Sequence, residues 1–135
     1  YPDAIIIGSD QVASLNGNLM GKPGTHEVAV AQLSASSGQT VSFHTGVALI
    51  CAGRRLDWFH VEPFTVHFRQ LTATSIEDYL RREQPYDCAG SFKCEGLGIA
   101  LFESLKGNDP TSLEGLPLIA LTELLTRAGL NILQP

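Results

Sequence analysis

The sequence predicts an α/β fold in one domain. Segments rich in branched apolar residues alternate along the chain with segments of helical periodicity, which is typical of interleaved strands and helices. The chain has 135 residues, close to the commonest size of a single domain. Hydrophobic residues make up 44% of it and charged residues 17%, so the chain can bury enough apolar surface to fold. We therefore expect residues 1–135 to form one domain.

The first predicted strand covers residues 4–8, with the sequence Ala-Ile-Ile-Ile-Gly. A continuous run of branched apolar residues is typical of a strand that is buried on both faces. Ser9, Asp10 and Gln11 follow this run, and open α/β sheets place their ligands at this end of a strand. The run begins almost at the start of the chain, so we expect the chain to be a fragment that lacks an upstream part.

A hairpin and a helix are predicted next. Asn16-Gly17 supplies the positive φ angles of a tight hairpin turn between two short apolar segments. Thr25 is a suitable N-cap for a helix over residues 26–36, and Gly38 is a suitable stop. The apolar face of this helix is expected to comprise Val28, Ala29 and Leu33.

Two long segments in the middle of the chain predict an antiparallel hairpin. Residues 39–51 and 56–69 are rich in β-branched and aromatic residues, and the short segment Ala-Gly-Arg-Arg separates them. Pro63 lies in the second of these segments and has no backbone N–H to donate. It therefore indicates an edge or a bulge in the second strand.

A short helix is predicted over residues 73–83. Its N-cap is either Thr72 or Thr74, since Thr74 begins a Thr-x-x-Glu capping box. The helix is expected to end before Pro85, because the residue preceding a proline avoids the helical conformation. Residues 86–98 contain several glycines and are predicted to form a loop.

The last part of the chain predicts a strand, a turn and a helix. Residues 99–105 are expected to form the strand, and Gly-Asn-Asp-Pro at residues 107–110 the turn. The final helix has Pro117 at its first position and Gly129 past its end. Its apolar stripe is expected to comprise Leu118, Leu121 and Leu125.

Composition excludes several classes of function. Nine Lys and Arg against 14 Asp and Glu give a net charge of −5, the wrong sign for a protein that tracks a nucleic-acid backbone. The longest apolar run, residues 47–52, is far too short to span a membrane, and the start of the chain shows no export signal. The three cysteines, Cys51, Cys88 and Cys94, have no CxxC spacing, so we expect free thiols and a cytoplasmic protein.

Asp10 and Lys22 are the first candidates for chemistry. Asp10 follows the first predicted strand, and Lys22 follows the predicted hairpin. A carboxylate and an ammonium group on rigid backbone at one sheet edge can bind a divalent metal and a phosphate, as hydrolysis of a phosphoanhydride requires. The alternative is that Asp10 caps a turn and Lys22 is solvated, because both are ordinary loop residues.

Eight short blocks occur in order along nearly the whole chain: Gly8-Ser9-Asp10-Gln11-Val12, Gly21-Lys22-Pro23, Ser37-Gly38, Thr45-Gly46, Tyr79-Leu80, Cys88-Ala89-Gly90-Ser91-Phe92, Glu95-Gly96-x-Gly98 and Gly115-Leu116-Pro117-Leu118. In this order they resemble the Maf family of nucleotide pyrophosphatases. The resemblance implies a metal-dependent hydrolase that cleaves a nucleoside triphosphate between its α and β phosphates. It also implies an elongated fold in which a mixed, twisted sheet is flanked by helices and a cleft lies between two lobes.

Two stretches within and between these blocks resemble the family branch that acts on 7-methyl-GTP, namely Asp10-Gln11 and Ser91-Phe92-Lys93-Cys94-Glu95-Gly96. The resemblance implies that Asp10 is the proton acceptor and that Gln11 and Glu95 determine specificity. As a carboxylate at the sheet edge, Asp10 is also the candidate metal contact. Lys22 is expected to neutralise phosphate charge. The implied cofactor is a divalent cation, Mg²⁺ or Mn²⁺, the implied ligand is a small nucleotide, and the family suggests a homodimer.

The family pattern also has an upstream strand and a Ser-x-Arg-Arg phosphate loop, which this sequence does not contain. We therefore expect an exposed apolar sheet edge near the start of the chain and little hydrolysis by the chain alone. Two alternatives to the 7-methyl-GTP enzyme stay open. One is a dTTP or UTP pyrophosphatase of the same family, and the other is a module that binds nucleotides without hydrolysing them.

The remaining polar and aromatic residues have open or structural interpretations. Asp87 either faces the cleft or binds local backbone N–H groups. Phe92 either stacks on a base or, more simply, belongs to the core. The adjacent Arg81 and Arg82 are expected on a solvated helix face. The four histidines have no metal-ligand spacing and are expected to be structural or solvated: His26, His44, His60 and His67.

Overall fold

A computed structural model describes residues 1–134 of the chain. Within these residues the strands are β1 (Ile6–Leu15), β2 (Asn18–Met20), β3 (Thr40–Cys51), β4 (Leu56–Phe68) and β5 (Phe102–Gly107). The α-helices are α1 (His26–Ser36), α2 (Ala73–Glu83) and α3 (Leu118–Arg127). Three short 3₁₀ turns cover Ala89–Ser91, Leu97–Leu101 and Pro110–Glu114. The predicted α/β class is confirmed.

All five strands form one sheet in the order β2-β1-β3-β4-β5, and every neighbouring pair is antiparallel. The mixed sheet implied by the family resemblance is therefore wrong for the part of the chain described. The reason lies in the connections. Tight turns join β1 to β2 and β3 to β4, and α1 and α2 return the chain so that the next strand runs opposite to its neighbour.

The first strand differs from the prediction in length and burial. It extends to Leu15, so Asp10 and Gln11 lie within it and do not follow its end. Ile6 is 58% exposed, although a strand buried on both faces was expected. The reason is that β2 pairs only with the last three residues of β1, which leaves residues 6–12 at an edge of the sheet. The expected exposed apolar edge is thus confirmed.

Two hydrophobic clusters within residues 1–134 share one face of the sheet. Alternate residues of β3 are buried on this face: Val41, Phe43, Thr45, Val47, Leu49 and Cys51. The first two pack in the larger cluster, together with residues of α1 and α2. Val47 and Leu49 pack in the smaller cluster, together with residues of α3. Thr45 lies between them, fully buried beneath the 3₁₀ turn Pro110–Glu114, and divides the covered face into two apolar halves.

Local signals placed most turns and helix ends correctly. Asn16 and Gly17 adopt φ angles of 52° and 82° in the β1–β2 turn, as predicted. The side chain of Thr25 caps α1 by accepting the Val28 N–H. Of the two candidate caps of α2, Thr72 is the one that accepts a helix N–H.

The second half of the chain agrees with the prediction at Pro63 and differs from it in β5 and α3. Pro63 does lie at an edge, because β5 pairs with β4 only from Phe64 onward. The strand predicted over residues 99–105 begins at Phe102, since a 3₁₀ turn precedes it. In α3, Leu118 is 46% exposed and Leu124 is buried instead, because the helix presents a different stripe to the sheet.

No helix within residues 1–134 has the length and apolarity needed to cross a bilayer.

Asp109 holds the 3₁₀ turn Pro110–Glu114 to the start of α3. Its carboxylate accepts hydrogen bonds from the Thr111 N–H and hydroxyl and from the Ile119 N–H, and its side chain is almost fully buried. Burial alone would raise the pKa of this carboxyl. The hydrogen bonds from Thr111 and Ile119 outweigh that effect, so the pKa of Asp109 is lowered from its ordinary 3.8. Asp109 therefore acts as an ionised cap.

We expect Asp109→Ala to lower the free energy of unfolding by about 2 kcal/mol, because N–H groups of two helical segments lose their acceptor. The exposed Asp57→Asn is the control and should change it by no more than about 0.5 kcal/mol. Urea unfolding at neutral pH measures both, and equal effects would contradict the capping role. The contribution of the ionised Asp109 to the free energy of unfolding is complete above pH 3.8 and is lost as the pH falls through the lower pKa of the folded state. The difference in this free energy between the natural chain and Asp109→Ala should therefore shrink in acid.

Candidate active site

A cleft on the covered side of the sheet brings the predicted site residues together. Asp10 and Gln11 come from β1, Lys22 from the segment after β2, and Glu95 from the loop after α2. The other residues that line this cleft are Ser9, Phe43, Asp87, Cys88, Ala89, Phe92, Leu113, Glu114 and Gly115. Segments from the start, the middle and the end of the chain therefore meet at one cavity.

The cleft is rich in negative charge. Four acidic residues line it, Asp10, Asp87, Glu95 and Glu114, but only one basic residue, Lys22. Of the two interpretations of Asp87, the cleft position is the one observed. Lys22 is the one cationic side chain in the lining that can balance the charge of a polyanion such as a triphosphate, whereas a cationic or donor-rich group fits the lining as it stands.

Asp10 lies at the sheet edge, where its carboxylate is accessible. Its Oδ1 accepts the N–H of Gln11 at 2.9 Å, and its side chain is exposed. It also lines a second, mainly apolar hollow with Val12, His44 and Phe59. No group of three acidic, His or Cys side chains within residues 1–134 is arranged to hold a metal. Because Mg²⁺ is commonly held by one or two carboxylates together with substrate phosphates, Asp10 fits a single protein contact to such an ion.

Gln11 is held by contacts across the sheet. Its Nε2 lies 3.0 Å from Thr45 Oγ1, 2.9 Å from the Ser112 carbonyl oxygen and 3.5 Å from that of Leu113. The register pairs Gln11 with Thr45, so both side chains lie on the covered face. The sequence did not identify Thr45 or Ser112 as partners of Gln11, because they lie 34 and 101 residues away in the chain. Thr45 belongs to the Thr45-Gly46 block, but nothing in that block indicates a contact with Gln11.

Gln32 of α1 and one backbone hydrogen bond join the two loops that border the cleft. The Gln32 side-chain amide donates to the Gly21 carbonyl at 3.0 Å and accepts the Ser91 hydroxyl at 2.5 Å. The Gly24 N–H donates to the Tyr86 carbonyl at 2.9 Å. The segment that carries Lys22 is thereby tied to the segment that carries Asp87. Gln32 had no distinguishing signal in the sequence.

The loop that carries Glu95 is anchored to α2. Tyr79 Oη accepts the Lys93 N–H at 2.9 Å, and the Glu83 carboxylate accepts the Leu97 N–H. The loop closes on itself through a 3.0 Å bond from the Gly98 N–H to the Lys93 carbonyl. A Cβ at Gly98 would lie 2.1 Å from that carbonyl oxygen, so only glycine fits. Burial raises the pKa of Tyr79, which keeps its hydroxyl neutral.

The cysteines are free thiols, as the sequence predicts, and they are unsuited to nucleophilic attack. Burial, followed by the charge of Asp87, raises the pKa of Cys88 to about 11. Burial and then the charge of Glu95 raise the pKa of Cys94 to about 11. Since the thiolate is the nucleophile, both groups are inert near neutral pH.

The aromatic and basic candidates have structural roles. Phe92 is buried and packs edge-to-face on Phe43, Phe68 and Phe102, so the core interpretation is confirmed. Arg81 and Arg82 are exposed and pair with acids one turn away on α2. The histidines bind neighbouring side chains or face solvent, as expected: His26 binds Tyr86 and Glu77, His60 binds Glu62, His67 binds Thr40, and His44 is exposed.

Comparison with known proteins gives a consistent result. A family model described as Maf-like protein matches residues 1–128. A protein of Idiomarina loihiensis named 7-methyl-GTP pyrophosphatase is 58% identical over 131 residues, which cover 97% of this chain and 66% of that protein. Proteins with the same name from Nitrosococcus oceani and Pseudomonas savastanoi pv. phaseolicola are 58% and 55% identical over 98% of this chain, which cover 66% and 69% of their own lengths. The chain thus spans about two thirds of the length of these relatives.

We expect Tyr79→Phe to loosen the loop that carries Glu95. The substitution keeps the buried ring but removes the acceptor of the Lys93 N–H, so this N–H should exchange with solvent about five- to tenfold faster. Native-state hydrogen exchange measured by NMR tests this. Arg82→Ala, an exposed change on the same helix, is the control and should leave the rate unchanged. An unchanged Lys93 exchange rate in Tyr79→Phe would contradict the anchoring role.

Proposed function

The chain belongs to the family of Maf-like proteins, and on this premise we propose that it is part of a nucleotide pyrophosphatase that hydrolyses 7-methyl-GTP to 7-methyl-GMP and pyrophosphate. The observation that carries the proposal is the convergence of Asp10, Gln11, Lys22 and Glu95 on one cleft. Relatives that are 55–58% identical and bear the name 7-methyl-GTP pyrophosphatase support the same choice.

The acidic lining favours a 7-methylguanine base over a pyrimidine. Guanine presents adjacent N1–H and N2–H₂ donors, which the carboxylate of Glu95 can accept together. Methylation at N7 makes the base cationic, so the surrounding carboxylates attract it. Thymine and uracil present a single N–H between two carbonyl oxygens, and carboxylates repel those oxygens. A dTTP or UTP pyrophosphatase is therefore the weaker alternative.

On the phosphate side, Asp10 and Lys22 have complementary tasks. The ammonium group of Lys22 neutralises phosphate charge. The exposed carboxylate of Asp10 accepts a proton from the attacking water or contacts a cation. A divalent ion, Mg²⁺ or Mn²⁺, supplies charge neutralisation at the phosphates when it is bound, and Asp10 is the residue that would hold it. Phosphoryl chemistry depends mainly on positioning and charge, so few side chains suffice.

One ammonium group against four carboxylates leaves too little positive charge for a transition state at phosphorus. We therefore expect cationic groups from outside residues 1–134 to be required, so that the chain alone binds nucleotide but hydrolyses it slowly. The test compares this chain with a fusion that adds the part of the Idiomarina loihiensis relative that it does not span. Pyrophosphate release from 7-methyl-GTP with Mg²⁺ should rise at least about hundredfold in the fusion.

In that fusion, Asp10→Asn should reduce turnover by about hundredfold or more, because it removes the proton acceptor while preserving shape. Thermal unfolding serves as the control and should be unchanged. Equal turnover by the chain and the fusion would overturn the charge argument, and normal turnover of folded Asp10→Asn would remove Asp10 from its role. Binding without hydrolysis in both forms would favour the alternative of a binding module.

We expect Glu95→Gln in the fusion to reduce the preference for 7-methyl-GTP over dTTP by about tenfold or more, since it removes a charged acceptor of the guanine donors. The measurement is the ratio of kcat/KM for the two nucleotides. Glu114→Gln is the matched control, because it removes the same charge from the same cleft and should leave the ratio nearly unchanged. Equal shifts in the two variants would mean that Glu95 acts only through net charge.

A further inference from the structure

The side-chain amide of Gln11 has a defined polarity. Its Nε2 faces the carbonyl oxygens of Ser112 and Leu113, which can only accept hydrogen bonds, so the nitrogen and not the oxygen must point toward them. The Thr45 hydroxyl donates its single hydrogen to the Ser112 carbonyl at 3.0 Å. The oxygen of this hydroxyl therefore accepts a hydrogen bond from Gln11 Nε2, which lies 3.0 Å away.

These contacts consume both hydrogens of the amide. One points to Thr45 Oγ1 and the other to the Ser112 carbonyl, so Gln11 has no N–H left for a ligand. Its Oε1 accepts no hydrogen bond from residues 1–134. That oxygen is also not buried, because no buried side-chain nitrogen or oxygen in the described chain lacks a partner. Since Gln11 lines the cleft, an open acceptor is presented there.

We propose that Thr45 is a positioning residue that locks the Gln11 amide, so that Gln11 recognises the nucleobase only through its carbonyl oxygen and requires a hydrogen-bond donor, the 2-amino group of a guanine. This inference rests on the proposed function for the identity of the base. The amino group has two hydrogens: Glu95 accepts one together with N1–H, and Gln11 accepts the other. A base that carries a carbonyl oxygen in place of the 2-amino group brings that oxygen against the carbonyl oxygen of Gln11. The two acceptors repel each other, so such a base is disfavoured.

Thr45 is well suited to this role because it is fully buried and its own hydrogen is committed. A serine at this position retains the hydroxyl, whereas a valine has the same shape and no acceptor. Thr45→Val frees one N–H of Gln11 and loosens the amide, which can then offer a donor to the cleft. Thr45→Ser should preserve the behaviour of the natural chain, which separates loss of the hydroxyl from loss of packing.

The first arm of the test needs no ligand. Exchange of the Gln11 side-chain amide hydrogens with solvent is measured by NMR in the 135-residue chain and in the two variants. The hydrogens should be protected in the natural chain and in Thr45→Ser, and should exchange about tenfold faster in Thr45→Val. Exchange at the rate of an exposed amide in the natural chain would overturn the proposal, whether or not Thr45→Val folds.

The second arm compares binding of 7-methyl-GTP with that of 7-methyl-ITP, which lacks only the 2-amino group, in the presence of Mg²⁺. The natural chain and Thr45→Ser should prefer 7-methyl-GTP by about three- to tenfold, and Thr45→Val should lose most of that preference. An equal preference in all three proteins would overturn the positioning role of Thr45. If neither nucleotide bound better than dTTP, the proposed function would fail, and the exchange measurement would still decide whether Thr45 locks Gln11.

Discussion

The carbonyl of Ser112 accepts hydrogen bonds from Gln11 and Thr45 at the centre of the sheet, and the arrangement of the cleft depends on this contact. It fixes the 3₁₀ turn Pro110–Glu114 across the sheet between the two hydrophobic clusters. Without a polar partner here, the buried Thr45 hydroxyl would be costly. Gln11, Thr45 and Glu62 lie side by side on neighbouring strands, because Thr45 pairs in register with both of the others, and Glu62 is also buried. A polar band thus crosses an otherwise apolar face.

This band explains why the cleft lies where it does. Helices α1 and α2 pack on one side of it and α3 on the other, so neither group of helices covers β1 at Gln11. The turn that rests on Thr45 supplies Leu113, Glu114 and Gly115 to one wall. Asp109 in turn holds that turn to α3 through its buried carboxylate. Hydrogen bonds therefore connect the start of α3, through Asp109 and the 3₁₀ turn, to Gln11 in the middle of β1.

The opposite wall is built from loops, and their position is set by helices that take no part in the chemistry. Gln32 of α1 bridges the segments that carry Lys22 and Asp87, and Tyr79 and Glu83 of α2 hold the loop that carries Glu95. Loops on rigid anchors are a common way to place functional side chains. Asp87 and Glu95 lie on these loops and, with Asp10 and Glu114, make the lining of the cleft acidic, which favours a cationic ligand over a bare polyanion.

The sequence by itself determined the features that local geometry controls: the Asn16-Gly17 turn, the cap at Thr25 and the β3–β4 hairpin. Its motifs and the family resemblance also pointed to Asp10, Gln11, Lys22 and Glu95, which line the cleft. Only the tertiary structure decided that Asp10 and Gln11 lie within β1 and do not follow its end, because the strand is extended by pairing with β3, a distant part of the chain. It also decided the polarity of the Gln11 amide. Gln11 and Ser112 are 101 residues apart, and an amide can donate or accept until folding brings its partners into place.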